Sequence, residues 1–205
     1  MFQKIARAVA KRWGPTSAKQ AVWDSEYRRG AWTYNRHGKN DEWAEPLYPI
    51  LEPLTAGARI LDLGCGSGMT VLEMAGNFEA YLGVDISPVA VATARDALSG
   101  ETEKGPKASF LVADIASFEP PGVFSVLIFR ESIYYVPLHQ IEPMLRRCIA
   151  HLSPAGSIVI RICDREKHRR IIAIARNLLQ VTEVFAARDS RMSIYVCNRL
   201  PGANA

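Results

Sequence analysis

No apolar run in these 205 residues approaches the roughly 18 needed to cross a bilayer; the longest lies near Val123–Phe129. A membrane-spanning helix is therefore not expected. Cysteine is scarce. The four cysteines, at 65, 148, 163 and 197, form no C-x-x-C pair and have no histidine at metal-ligand spacing. That argues against a disulfide scaffold and a zinc site, and reduced thiols buried in apolar strands or helices are expected at three of them. Internal repeats and low-complexity tracts are missing too. A net charge of +4 is too small to demand a nucleic-acid partner. Acidic residues are absent from positions 1–23, which nonetheless carry Lys4, Arg7, Lys11, Arg12 and Lys19.

What is present reads as a globular, cytoplasmic protein. The 22% charged and 48% hydrophobic residues exclude disorder, and a chain of this length buries roughly 70% of its unfolded surface. Its most telling stretch is Arg59-Ile-Leu-Asp-Leu-Gly-Cys-Gly-Ser-Gly-Met-Thr70. A short apolar strand runs into glycines at 64, 66 and 68, where the backbone must turn sharply and approach a ligand closely. A dinucleotide fingerprint would place its third glycine at position 69, where Met69 stands. Asp62, two residues before Gly64, would also repel a pyrophosphate. A cofactor with a positive sulfonium and ammonium removes that conflict, so S-adenosylmethionine is the expected ligand.

Two further strands end in acid. Ala80-Tyr-Leu-Gly-Val-Asp85 closes 21 positions after Gly64, the spacing at which a carboxylate grasps a ribose diol. Ser109-Phe-Leu-Val-Ala-Asp114 is followed by Ile115; there the carboxylate suits an adenine amino group, and the next backbone N–H suits a ring nitrogen. The alternative is that Asp85 and Asp114 cap the helices that follow, a task Ser87 and Ser117 can also perform.

With these residues in place, about residues 40–200 resemble the class I S-adenosylmethionine-dependent methyltransferases. Asp62-Leu63-Gly64-Cys65-Gly66-Ser67-Gly68 matches the family's first motif, Asp85 its ribose-binding acid and Asp114 its adenine-contacting acid. Leu152-Ser-Pro-Ala-Gly156 with the following Ser-Ile-Val-Ile160 matches its turn and fifth strand. The resemblance implies a Rossmann-like α/β fold: a seven-stranded sheet, mostly parallel with an antiparallel last strand, and helices on both faces. It implies cofactor binding by Asp62, Gly64, Cys65, Gly66, Gly68, Asp85, Ile86, Asp114, Ile115 and Arg130, and is nearly silent on the methyl acceptor.

The pattern predicts strands near 59–63, 80–84, 109–113, 123–129, 156–162, 181–187 and 192–199. Helices are predicted near 68–76, 88–98, 138–151 and 165–179, with an earlier one from Asn40 or Asp41 to Leu54 whose last turn Pro53 marks. Strand–helix alternation implies a parallel sheet with right-handed crossovers, and the close-set last two strands imply an antiparallel hairpin. The dipole of a helix from Gly68 would favour the cofactor's carboxylate. A lid segment, 1–40, is expected to precede the methyltransferase domain, 41–205.

Acceptor chemistry belongs at the carboxyl end of the fourth strand, Phe129-Arg-Glu-Ser-Ile-Tyr-Tyr135. This departs from the acid-or-amide, double-proline, aromatic pattern of enzymes that methylate planar amines, which favours oxygen over nitrogen. Glu131 is the first candidate for a general base; alternatively it pairs with Arg130 or Arg161 and orients the loop. His37 is a second candidate base. Tyr134 and Tyr135 are expected to wall the acceptor pocket, one packing inward. The run Trp23–Tyr34 together with Phe-x-Glu-x-x-Tyr-Tyr resembles a bacterial subset of the family linked to saccharide modification. That implies a lid built from Tyr27, Trp32 and Tyr34; a simple aromatic staple is the competing reading. The run 164–170 either attracts an acidic acceptor or forms a solvated first helical turn.

Phe2, Ile5, Val9 and Trp13 give residues 1–13 the face of a basic amphipathic helix, read as a packed lid, a membrane-surface contact or a frayed tail. The expected function is metal-independent methyl transfer to a small-molecule or glycan-type acceptor. The alternatives are an RNA methyltransferase using the basic arm, whose binding would be steeply salt-dependent, and a non-catalytic cofactor-binding regulator or partner subunit.

Overall fold

A computed structural model describes residues 9–32, 47–186 and 191–202. Tyr34, His37, the Asn40/Asp41 cap and the 40/41 boundary lie outside them. Seven strands form one sheet: β1 (Arg59–Leu63), β2 (Ala80–Asp85), β3 (Ala108–Val112), β4 (Phe124–Arg130), β5 (Leu152–Ile162), β6 (Leu179–Ala186) and β7 (Ser193–Arg199). Their order across the sheet is β3-β2-β1-β4-β5-β7-β6. β1 through β5 pair in parallel, while β7 runs antiparallel to both β5 and β6. The order reverses between β1 and β4, which opens a crevice at their carboxyl ends.

Besides helical residues at 9–13 and two 3-10 turns, six helices accompany the strands among the described residues: α1 (Thr16–Arg28), α2 (Leu47–Thr55), α3 (Met69–Glu73), α4 (Pro88–Leu98), α5 (Leu138–Ala150) and α6 (Arg169–Leu178). Because neighbouring side chains on a strand point to opposite faces, the nearly continuous apolar strands feed two cores. Leu61, Leu63, Leu127, Phe129, Ile158 and Ile160 meet Ile141 and Leu145 of α5 and Ile171 of α6. Ile60, Tyr81, Val126, Ile128 and Val159 meet Leu47 and Leu51 of α2, Val71 of α3 and Val91 and Ala94 of α4. Asp62 shares the parity of Ile60 and is therefore carried inside the second layer, wholly buried.

Four local expectations change. The helix after the glycine loop ends at Glu73, because Met74 turns to extended backbone (ψ 155°) and buries its side chain in the core. Its five residues leave little macrodipole. The expected turn Leu152–Gly156 is drawn into β5, whose pairing with β4 slips between Phe124 and Val126. The lysine- and arginine-rich run after β5 folds first as a turn, with Asp164 accepting from the Lys167 N–H at 2.9 Å, so α6 starts only at Arg169. β6 follows α6 directly, at Leu179. Pro53 does fall in the last turn of α2, and Ser87 caps α4 by accepting from the Ala90 N–H at 3.2 Å. Among the described residues, no helix is long and apolar enough to cross a membrane.

Candidate functional site

The carboxyl ends of β1, β2, β3 and β4 surround a cavity of about 560 Å3 that α1 covers from outside. Gly64, Gly66 and Gly68 hold φ of +85°, +55° and +80°, conformations that a side chain makes costly. Space enforces the first two. A Cβ at Gly64 would stand 2.4 Å from that of Ser132, and one at Gly66 would stand 2.7 Å from the Tyr27 hydroxyl. Cys65 lines the cavity with its thiol buried, and burial pushes the thiol pKa up.

Asp85 closes β2 at the floor of this loop. Its Oδ2 accepts from the Gly66 N–H at 2.9 Å and its Oδ1 from the Ser87 N–H at 2.8 Å. Desolvation pushes its carboxyl up to about 6, against the lowering effect of these two bonds; Asp62 and Asp24 add to the rise. Helix capping is the work of Ser87, which leaves Asp85 facing the cavity beside Ile86. Asp114 and Ile115 also line it. Asp114 takes the Ala116 N–H at 3.0 Å and, unforeseen from sequence, the Lys19 ammonium at 2.9 Å.

Asp62 lies beneath the loop. It accepts from the Tyr81 hydroxyl at 2.6 Å, and burial raises its pKa more than this bond lowers it. Its Oδ1 meets no donor within hydrogen-bond geometry, with Thr70 of the cavity wall nearby. Arg130 reaches the wall from β4, donating to the Tyr48 hydroxyl at 2.8 Å and standing 3.6 Å from Glu73.

Glu131 is the single described non-glycine residue with positive φ, at 56°. Such strain persists where the surroundings fix it, and here three donors do so. Arg161 donates to Oε1 at 2.8 Å, while the Tyr134 hydroxyl and the Cys163 N–H reach Oε2 at 2.7 and 3.0 Å. The pairing with Arg161 weighed from sequence is thus present. Tyr134 and Tyr135 both line the cavity. Tyr134 is also stacked on His168, with centroids 4.4 Å apart. Burial and then Glu131 raise the Tyr134 phenol far above its ordinary value, so it donates rather than ionises.

α1 supplies Lys19, Trp23 and Tyr27 to the cavity, four residues apart and so on one helix face. Asp24 ties this helix to α4 by accepting from the Ser87 hydroxyl at 2.5 Å. Of the expected lid residues, Tyr27 and Trp32 line the cavity and Tyr34 lies outside the described residues. Lys11, Lys19 and Trp23 were missed as lining residues. The i, i+4, i+8 spacing of Lys19, Trp23 and Tyr27 was the available signal.

Residues 60–156 match the family described as "Methyltransferase domain". They are a methyltransferase domain. The trans-aconitate 2-methyltransferase of Variovorax paradoxus (strain S110) is 33% identical over 150 residues, which are 69% of this chain and 54% of that one. The magnesium-protoporphyrin O-methyltransferase of Rhodobacter capsulatus is 36% identical over 101 residues, 49% of this chain and 43% of that one. The chain spans about half the length of the curated relatives it matches. Among solved structures, the N-methyltransferase NodS from Bradyrhizobium japonicum WM9, in complex with S-adenosyl-L-homocysteine, superposes with a TM-score of 0.69 at 18% identity, covering 87% of this chain and 98% of that one. That likeness is one of fold. Sheet order, antiparallel β7 and the helices packed on the sheet match what the motifs of the methyltransferase domain implied.

Proposed function

We propose that this chain transfers the methyl group of S-adenosylmethionine to an oxygen of a small-molecule or glycan-type acceptor. One observation carries the reading: Asp85, held by two backbone N–H groups, faces a cavity whose glycine loop leaves room for a nucleoside. The residues fit such a cofactor. Asp85 lines the cavity where a ribose diol would be held, Asp114 and Ile115 stand where an adenine edge would be read, and the Asp62 carboxyl lies buried beneath the glycine loop. When bound, the cofactor supplies a methyl group on a sulfonium.

The chain's own residues then have distinct tasks. Tyr27 covers Gly66, and Trp23 and Trp32 complete the cover, keeping water from a reaction in which charge is lost. Glu131 is a positioning residue: with three donors already on its carboxylate, its task is to hold the Tyr134 hydroxyl and Arg161 in place. Rate then comes mainly from alignment of the acceptor. His37 stays the candidate base in this reading.

Incubating the protein with methyl-labelled cofactor and a panel of hydroxy and carboxylate acceptors tests the proposal. Label in an O-methyl product supports it. Binding of cofactor without label in any acceptor from a cell extract would point instead to a cofactor-binding regulator.

A further inference from the structure

At its aromatic end the cavity already holds a cation. The Lys11 ammonium stands 4.1 Å from the ring centroid of Trp23, 5.5 Å from that of Tyr135 and 5.7 Å from that of Trp32. Glu26 accepts from it at 2.6 Å, and the Trp32 indole N–H donates to the same carboxylate oxygen at 3.2 Å. The rings brace one another. Trp23 meets Tyr135 edge-on, with centroids 4.7 Å apart and planes at 90°, and lies 5.8 Å from Trp32. Three π faces and a carboxylate about one ammonium are the chemistry by which proteins recognise organic cations.

Lysine rarely gives up its hydration, yet the Lys11 side chain is only 15% exposed and that of Glu26 14%. With Glu26 so close, the Lys11 charge is already balanced and poorly placed to capture an anion. The cover does not depend on this contact, because α1 is tied down independently through Lys19 to Asp114 and through Asp24 to Ser87. Lys11 lies instead on the short helical stretch 9–13, and the Gly14–Pro15 bend separates it from α1. Rotation at that bend would withdraw Lys11 and leave the box standing.

We propose that Trp23, Trp32, Tyr135 and Glu26 form a receptor for an organic ammonium or sulfonium group, and that Lys11 is its built-in occupant, displaced when the ligand arrives. The box itself is independent of the methyl-transfer reading; only the identity of the ligand rests on it. Two sources offer this chemistry in the same cavity: an ammonium-bearing acceptor, or the sulfonium of the cofactor.

The probe is tetramethylammonium chloride, titrated into the whole chain and into Lys11→Ala while tryptophan fluorescence is followed. The vacated box should bind it at least 10-fold tighter than the wild type, and adding Trp23→Ala to Lys11→Ala should remove that gain. Equal affinity in wild type and Lys11→Ala overturns the proposal. Should Lys11→Ala not fold, the wild type still decides. Tetramethylammonium, unlike sodium chloride at equal ionic strength, should raise acetylation of Lys11 by an amine-reactive ester, read by mass spectrometry; unchanged acetylation sinks the idea. To identify the source, affinities for S-adenosylmethionine and its neutral product are compared in both proteins. Lys11→Ala gains affinity for the sulfonium form alone if the cofactor is the guest, and for neither if an acceptor ammonium is. Failure to bind either cofactor form would refute the methyl-transfer reading and leave the fluorescence result to judge the box.

Discussion

The two ends of the cavity are made by different means. At the end formed by β1, β2 and β3, recognition is written into the backbone: three glycines with positive φ, Asp85 closing β2 and Asp114 two residues past β3. At the other end it is made of side chains from distant segments. Arg161 crosses 30 positions to Glu131, and Lys11 crosses 15 to Glu26 beside Trp23 and Tyr135. Backbone geometry at the first end fixes what class of ligand fits. The second end depends on charges that cancel pairwise.

On that division, substitutions at the first end are expected to act on cofactor affinity and those at the second on turnover. The largest effect is expected from Asp85→Ala, which should weaken cofactor binding by about 2–4 kcal/mol in calorimetry. Next comes Gly64→Ala. A Cβ 2.4 Å from that of Ser132, on backbone at φ +85°, should lower stability by about 3 kcal/mol in chemical denaturation. Glu131→Gln should lower kcat by about 10- to 100-fold while cofactor affinity stays within a factor of three. An equal loss of both would erase the distinction between the ends. Lys19→Met leaves Asp114 without its ammonium and loosens α1; with the two side chains 11% and 12% exposed, the expected cost is about 2 kcal/mol in thermal unfolding.

The smallest effect is a pH dependence that only the first end should show. Burial lifts the Asp85 carboxyl to about 6 in the fold, so the folded chain binds a proton that the unfolded chain has lost between the ordinary carboxylate range and that value. Its contribution to stability is present below that window and disappears as pH rises through about 6. Cofactor affinity should move the opposite way, rising as the carboxylate forms to accept from a diol. Asp85→Asn should flatten that rise when affinity is measured between pH 5 and 8.

The same division explains what was legible in the sequence. β1 and α4 fall where their apolar patterns put them, with Ser87 as the cap. Asp85 and Asp114 could be placed because strand ends and glycine spacing are local signals. α3 stops early because Met74 is drawn into the core, which no local pattern announces. Asp62 was expected at the cofactor. The alternation of β1 buries it under the loop, with one oxygen on Tyr81, a partner 19 residues away. Lys11, Lys19 and Trp23 escaped notice because their role depends on where α1 docks, and that is decided by Ser87 and Asp114, far along the chain.

Calorimetric titration of S-adenosylmethionine and of a nicotinamide dinucleotide, into the wild type and into Asp85→Ala, tests the central assignment most directly. One site for the sulfonium compound, lost or severely weakened in Asp85→Ala, with no heat from the dinucleotide, is the expected result. Undiminished binding in Asp85→Ala, or preference for the dinucleotide, would contradict it.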